Sequence, residues 1–240
     1  MNTQNTQEFS DTFDTLLNSH DIQAQFGEPS SERDIVLDEY EKSVYLTKAQ
    51  EEIVVNLYNG KNPYGDSFEG TEEMRRYLEG LVKTKVYNIE DQVEGIGVTA
   101  TSVFYPLPED IAFITMEQVT YDDDTLGCYN GSEVTVYPVT QDEYGQIKGN
   151  PFRGPTKYKV IRLDSGDNIV ELVSKFKIGT YLIRYLMRPK PIILEDLPNN
   201  LTIEGSSLKS ECTLNPILHK IIIKRAVLLA LQAKGANITK

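Results

Sequence analysis

Near its C-terminus the chain carries an apolar stripe that it cannot bury alone. Leu218, Ile221, Ile222, Ala226 and Leu229 recur at helical spacing and make a face wide enough to demand packing partners. Asn215-Pro216 opens this helix, because Asn caps a helix and Pro suits its first position. Gly235 is expected to close it. The nearest partners lie in the N-terminal third. There Phe9, Phe13, Leu16 and Leu17 form one stripe ending near His20, before a turn-rich linker at 27–31. Leu37, Tyr40 and Val44 keep helical spacing. Thr47 and Gln50 fit a capping box that leads into Ala49, Ile53 and Leu57, with Asn59-Gly60 as the stop. After a loop at 62–65, Thr71 caps a further helix carrying Met74, Leu78 and Leu81.

The character of the chain changes near residue 84. Residues 96–105 and 111–121 are rich in β-branched and aromatic side chains, as strands are. Tyr129-Asn130-Gly131-Ser132 predicts a type I′ hairpin turn, and the residues from Glu133 to Tyr137 alternate in polarity. Thr140 and Glu143 make a second capping box over a short helix. Strands are expected at 157–163, 168–174 and 180–187, the first two joined by a turn at 164–167. Strands this close, joined by short turns, predict an antiparallel sheet. The expected fold class is α+β: an α-helical bundle formed by both chain ends, 1–84 plus 214–240, with a β-rich antiparallel insertion at 85–213 in the middle.

Composition narrows the function. With 240 residues, 40% hydrophobic and 25% charged, the chain is an ordinary globular one of one or two domains. The longest greasy segment, 221–233, is broken by Lys224 and Arg225, so no membrane span is expected. The opening Met1-Asn-Thr-Gln-Asn has neither a basic nor an apolar region, so no export is expected. Cys128 and Cys212 have no metal-site spacing and are expected to be reduced. The net charge of -12 is split: residues 1–147 carry 29 acids against 8 bases, and residues 148–240 carry 7 acids against 16 bases. An acidic majority argues against a tight grip on DNA phosphates.

No catalytic constellation stands out. His20 and His219 adjoin no nucleophile motif and are expected on the surface or on a helix face. No GxSxG, HExxH, P-loop or GxGxxG occurs. Asp122-Asp-Asp124 lacks the spaced ligands of a cation loop, and the pair Glu109-Asp110 has no visible counterpart across a cleft. A non-enzymatic protein with no cofactor and no metal is expected.

Several stretches carry a family likeness. Leu37-Asp-Glu-Tyr-Glu-Lys-Ser-Val-Tyr-Leu-Thr-Lys-Ala-Gln50 resembles the early signature of head-to-tail ring (adaptor) proteins of short-tailed, crAss-like bacteriophages. Pro138-Val-Thr-Gln-Asp-Glu-Tyr144 with Asn150-Pro-Phe152 resembles their central motif. Tyr181-Leu-Ile-Arg-Tyr-Leu-Met-Arg-Pro-Lys-Pro191 is similar to their strand with its proline exit, and 219–231 to their closing helix. The resemblance implies a virion protein made in the host cytoplasm. It would form a homo-oligomeric ring, commonly of twelve copies, in the neck below the portal protein. Packaged double-stranded DNA would pass through the lumen, and neighbouring neck and tail ring proteins would dock on it.

A subunit of a closed ring presents two different surfaces to its neighbours, and complementary charge sets their register. The expected interface sets Asp122, Asp123, Asp124, Asp142 and Glu143 of one copy against Lys157, Lys159, Arg162, Arg184 and Arg188 of the next. Two other readings compete. A phage-encoded wall hydrolase or nuclease needs a paired-carboxylate or metal cleft. A β-rich receptor- or glycan-binding module needs an exposed aromatic platform.

Overall fold

The computed structural model describes residues 6–24, 36–61, 67–68, 70–150, 152–198 and 200–234. The elements run α1 (Thr6–Ala24), α2 (Glu39–Asn59), α3 (Glu72–Leu78), β1 (Val82–Asn88), β2 (Val103–Pro106), β3 (Ile111–Tyr121), β4 (Glu133–Pro138), α4 (Gln141–Ile147), β5 (Val160–Gly166), β6 (Ile169–Val173), β7 (Ile178–Met187) and α5 (Pro216–Ala233). They form two compact units, Met1–Leu81 with Pro189–Lys240, and Val82–Arg188.

In the first unit α5 lays Leu218, Ile222, Ala226 and Ala230 into the interior, against α1 and α2. Asn215 caps it by accepting the Ile217 N–H at 3.1 Å, ahead of Pro216. Arg225 of α5 holds Glu52 of α2 through two bonds of 2.8 and 2.7 Å. Lys42 of α2 is buried and satisfies its charge on Asp14 of α1 at 2.7 Å and on Glu39 at 2.8 Å. Of its two expected places His219 takes the helix face: it is buried on α5, its ring tilted 59° to that of Phe9 at 5.0 Å, and its Nε2 lies 3.2 Å from the Leu214 carbonyl oxygen. Burial pushes this imidazole below its usual pKa.

The helix expected to start at Thr47 starts at Glu39 instead. Asp38 and Glu41 form the capping box, and Gly60, at a φ of 73°, ends the helix. Thr47 sits mid-helix in a polar stripe with Ser43 and Gln50. These three side chains bond to an extended segment: Ser43 Oγ accepts the Leu194 N–H at 3.0 Å, Thr47 Oγ1 accepts the Ile192 N–H at 3.1 Å, and Gln50 Nε2 donates to the Lys190 carbonyl at 2.7 Å. The i, i+4, i+7 spacing of a helix face thus meets the period-2 backbone of a strap.

The second unit is a seven-stranded sheet in the order β1-β7-β3-β4-β5-β6-β2. Its pairs are antiparallel except β4 with β5, which is parallel. Three register shifts interrupt β3 against β7, and such bulges add twist and bend. The sheet curls until its two end strands meet: Tyr87 of β1 and Tyr105 of β2 have ring centroids 5.6 Å apart. Val93 then bridges to Phe104 in β2, and Gln92 Nε2 donates to the Tyr105 hydroxyl at 3.0 Å. On the other face, α4 covers Ile161, Leu163 and Val173 with Tyr144 and Ile147.

This sheet corrects the expected architecture. The chain is not an α-helical bundle formed by both ends with an antiparallel insertion; the seven-stranded curled sheet dominates it and the helices are few. Where a bundle needs another helix against α2, the polar stripe of Ser43, Thr47 and Gln50 takes extended backbone instead. Local turns differ as well. Asn130 has φ −61° and ψ 137° and only Gly131 is left-handed, at 77°, which makes a type II turn. The β5–β6 hairpin turns at Asp167 and Asn168, with φ of 49° and 56°, two residues later than the spacing suggests. Of the strand expected at 96–105, only Val103–Pro106 is extended in the sheet. The turns expected at 27–31 and 62–65, the helix end expected at Gly235 and the side chain of His20 lie outside the described residues.

The packing of α5 sets a test. Ile222→Asp places a carboxylate at a fully buried position and is expected to cost on the order of 4 kcal/mol. Ile221→Asp, half exposed on the same helix, is expected to stay within about 0.5 kcal/mol. Thermal unfolding followed by circular dichroism separates the two.

Candidate functional site

The residues singled out by charge gather in the sheet unit, and the fold has already used some of them. Arg162 on β5 points inward. Its NH1 bonds Glu117 of β3 at 2.7 Å, and its Nε lies 3.3 Å from Asp164. Only 12% of the Arg162 side chain and 4% of the Glu117 side chain remain exposed, so this base is committed within its own chain. Glu117 also accepts a hydrogen bond from the Tyr181 hydroxyl of β7. Burial pushes the Glu117 carboxyl above the usual carboxylate range, against the pull of Arg162 and Tyr181.

The acidic triplet organises the loop between β3 and β4. Asp123 accepts from the Thr125 hydroxyl and from the Thr125 and Lys177 N–H groups, at 2.5, 3.0 and 2.9 Å. Those bonds, the Thr125 hydroxyl first, hold its carboxyl below the usual range. Asp122 pairs with Lys177 at 2.9 Å, and Asp124 accepts from Asn130 at 3.4 Å. Asp142 and Glu143 occupy the exposed first turn of α4, where carboxylates favour the helix N-terminus. Glu143 lies 3.5 Å from Arg153.

The remaining bases face outward. Lys157 Nζ stands 4.1 Å over the Tyr129 ring and 4.9 Å from that of Tyr158. Lys159 Nζ stands 5.0 Å over Tyr137 and donates to the Arg153 carbonyl at 3.0 Å. Arg184 and Arg188 are exposed on and just after β7, and neither makes an ion pair among the described residues. The aromatic partners of the lysines were not anticipated from the sequence, although Lys157-Tyr158-Lys159 was there to read. Among the described residues, no group of three or more His, Cys, Asp or Glu is placed to hold a metal ion, and no helix is long and apolar enough to cross a membrane.

The curled sheet carries exposed charges and aromatic rings around β4 and its loops. Comparison with known proteins names the class. The chain belongs to the phage tail ring protein 3/4 family, whose profile matches residues 4–240. It is 48% identical over 229 residues to "Ring protein 3" of Bacteroides phage crAss001, covering 95% of each chain. It is also 36% identical over 235 residues to "Ring protein 4/5" of the same phage, covering 94% of this chain and 92% of that one.

The buried triad yields a measurable consequence. Glu117→Ala strands the Arg162 guanidinium and is expected to cost about 3–5 kcal/mol in urea unfolding. Asp164→Ala, at an exposed carboxylate, is expected to cost about 0–1 kcal/mol. Because the folded carboxyl of Glu117 titrates above its ordinary 4.5, its contribution is fully present below that value and lost as pH rises through the folded value. Unfolding at several pH values is expected to show that loss in the wild type and its absence in Glu117→Gln.

Proposed function

We propose that the chain is a structural, non-enzymatic subunit of a ring in the phage neck, a head-to-tail connector below the portal. Packaged double-stranded DNA passes through its lumen, and other ring proteins stack against it. The observation that carries this reading is the match of residues 4–240 to the phage tail ring family, together with 48% identity to a protein named for a ring. The twelve-copy ring follows from the resemblance to head-to-tail adaptors. The charge-matched interface is part of the proposal, now narrowed. Asp124, Asp142, Lys157, Lys159, Arg184 and Arg188 make no ion pair among the described residues, so they are the members of the expected set best able to pair between copies. Each exposed pair contributes about 0–1 kcal/mol, and closure multiplies it around the ring. An acidic majority suits a channel that DNA crosses without adhering.

Immunogold labelling of intact virions tests the location. Antibody raised against this chain is expected to mark the junction of head and tail in particles opened at the neck. Gold confined to the capsid shell or to distal fibres would contradict the connector assignment.

A further inference from the structure

Two surfaces of the sheet unit match in chemistry. The first is the segment joining β1 to β2. It exposes Ile89, Val93, Ile96 and Val98, with Ile96 at 101% of its reference accessibility. Glu90, Asp91 and Glu94 are interleaved with them, exposed, and without an ion pair among the described residues. The segment is nevertheless held. The Val98 N–H donates to the buried Glu171 carboxylate at 2.7 Å, and Thr101 Oγ1 donates to the Ser174 carbonyl at 2.7 Å. A Cβ on Gly95 would lie 2.7 Å from the Phe104 ring, and one on Gly97 would lie 2.5 Å from Ser102 Cβ, so the backbone packs closely on both sides of Ile96. An isoleucine kept in water on a held loop has little ordering left to lose on docking. An exposed apolar group of this kind marks an interaction site.

The second surface is the aromatic and basic one. Phe152 is 91% and Tyr158 60% exposed, Tyr129 is exposed with its ring 5.9 Å from that of Tyr158, and Tyr137 is exposed on β4. Lys157 and Lys159 lie over the tyrosine rings and pair with no carboxylate among the described residues. Exposed tyrosines are typical of interface hot spots, and the two lysines give this surface its positive charge.

β1 and β2 are the ends of the order and meet at the seam, which the 89–102 segment crosses. The aromatic surface borders β4, the central strand of the order. Each copy carries an acidic, aliphatic knob and a basic, aromatic seat.

We propose that the 89–98 loop of one copy docks on the Tyr129, Tyr137 and Tyr158 surface of the next. Ile96 sits among the rings, and Glu90, Asp91 and Glu94 face Lys157 and Lys159. This inference rests on the ring reading above, because such a contact is heterologous and closes a ring when its rotation repeats. Opposite potentials on knob and seat fix the register and disfavour knob-to-knob pairing.

Sedimentation velocity on the full chain tests it, with far-ultraviolet circular dichroism confirming that each variant is folded. Ile96→Asp breaks the knob, and the double variant Lys157→Glu, Lys159→Glu breaks the seat. Each alone is expected to associate at least roughly 30-fold more weakly than wild type. An equimolar mixture restores one sound contact, so it is expected to give heterodimers and no larger species. Both variants forming rings at wild-type concentrations would overturn this docking and leave the ring reading intact. A wild type that stays monomeric at every concentration would overturn both. A lysine double variant that assembles normally yet loses retention of duplex DNA would assign the seat to DNA instead.

Discussion

Tyr181 is the point on which the sheet unit turns. Its ring lies 5.7 Å from Tyr87 of β1 and 5.2 Å from Tyr105 of β2, so one side chain on β7 touches both end strands of the order. Its hydroxyl donates to Glu117 of β3, and Glu117 holds Arg162 of β5. Four strands besides its own are thereby tied to one residue. Burial above all, with the Glu117 charge behind it, raises the Tyr181 hydroxyl far beyond the usual phenol range, which keeps it a donor throughout the pH range of the folded protein. Each aromatic contact contributes about 0.5–1.5 kcal/mol beyond its buried area. The larger effect is geometric. A flat sheet would leave β1 and β2 as open edges, and edges invite uncontrolled pairing. Curling around Tyr181 brings them together and leaves the surface chemistry to the loops.

How much of this the sequence disclosed depends on how local each cause is. Glu133 to Tyr137 alternate because Val134 and Val136 enter the core, and that alternation is legible. Asn215-Pro216 and Thr71 act on neighbouring N–H groups, so their helix starts could be read directly. β1 leaves most of its side chains exposed and has no periodic signal, so it went unread. Thr47 fits a capping pattern, yet its hydroxyl serves Ile192, 145 positions away. No local rule reports such a partner. The strand order that sets Tyr87 against Tyr105 is likewise a property of the whole sheet.

The candidate site shows the same division. Charge and its uneven distribution are written in the composition, and most of the selected residues are exposed. What composition cannot say is which charges the fold consumes. Arg162 looks like its neighbours in sequence but neutralises Glu117 in the interior. Asp123 looks like a surface acid but fixes a loop. The charges left over, and the tyrosines under the lysines, are the groups on which the proposed contact between copies rests. A rigid sheet with its loops held by internal bonds presents those groups in one arrangement, and a ring needs that arrangement to be identical in each copy.

The central claim is that this chain closes on copies of itself. Native mass spectrometry of the purified full-length protein measures that directly, because each added copy contributes 27.1 kDa. The account predicts one dominant assembly of fixed copy number, with twelve as the expected value. A monomer at every concentration, or an open ladder of sizes with no preferred member, would contradict it.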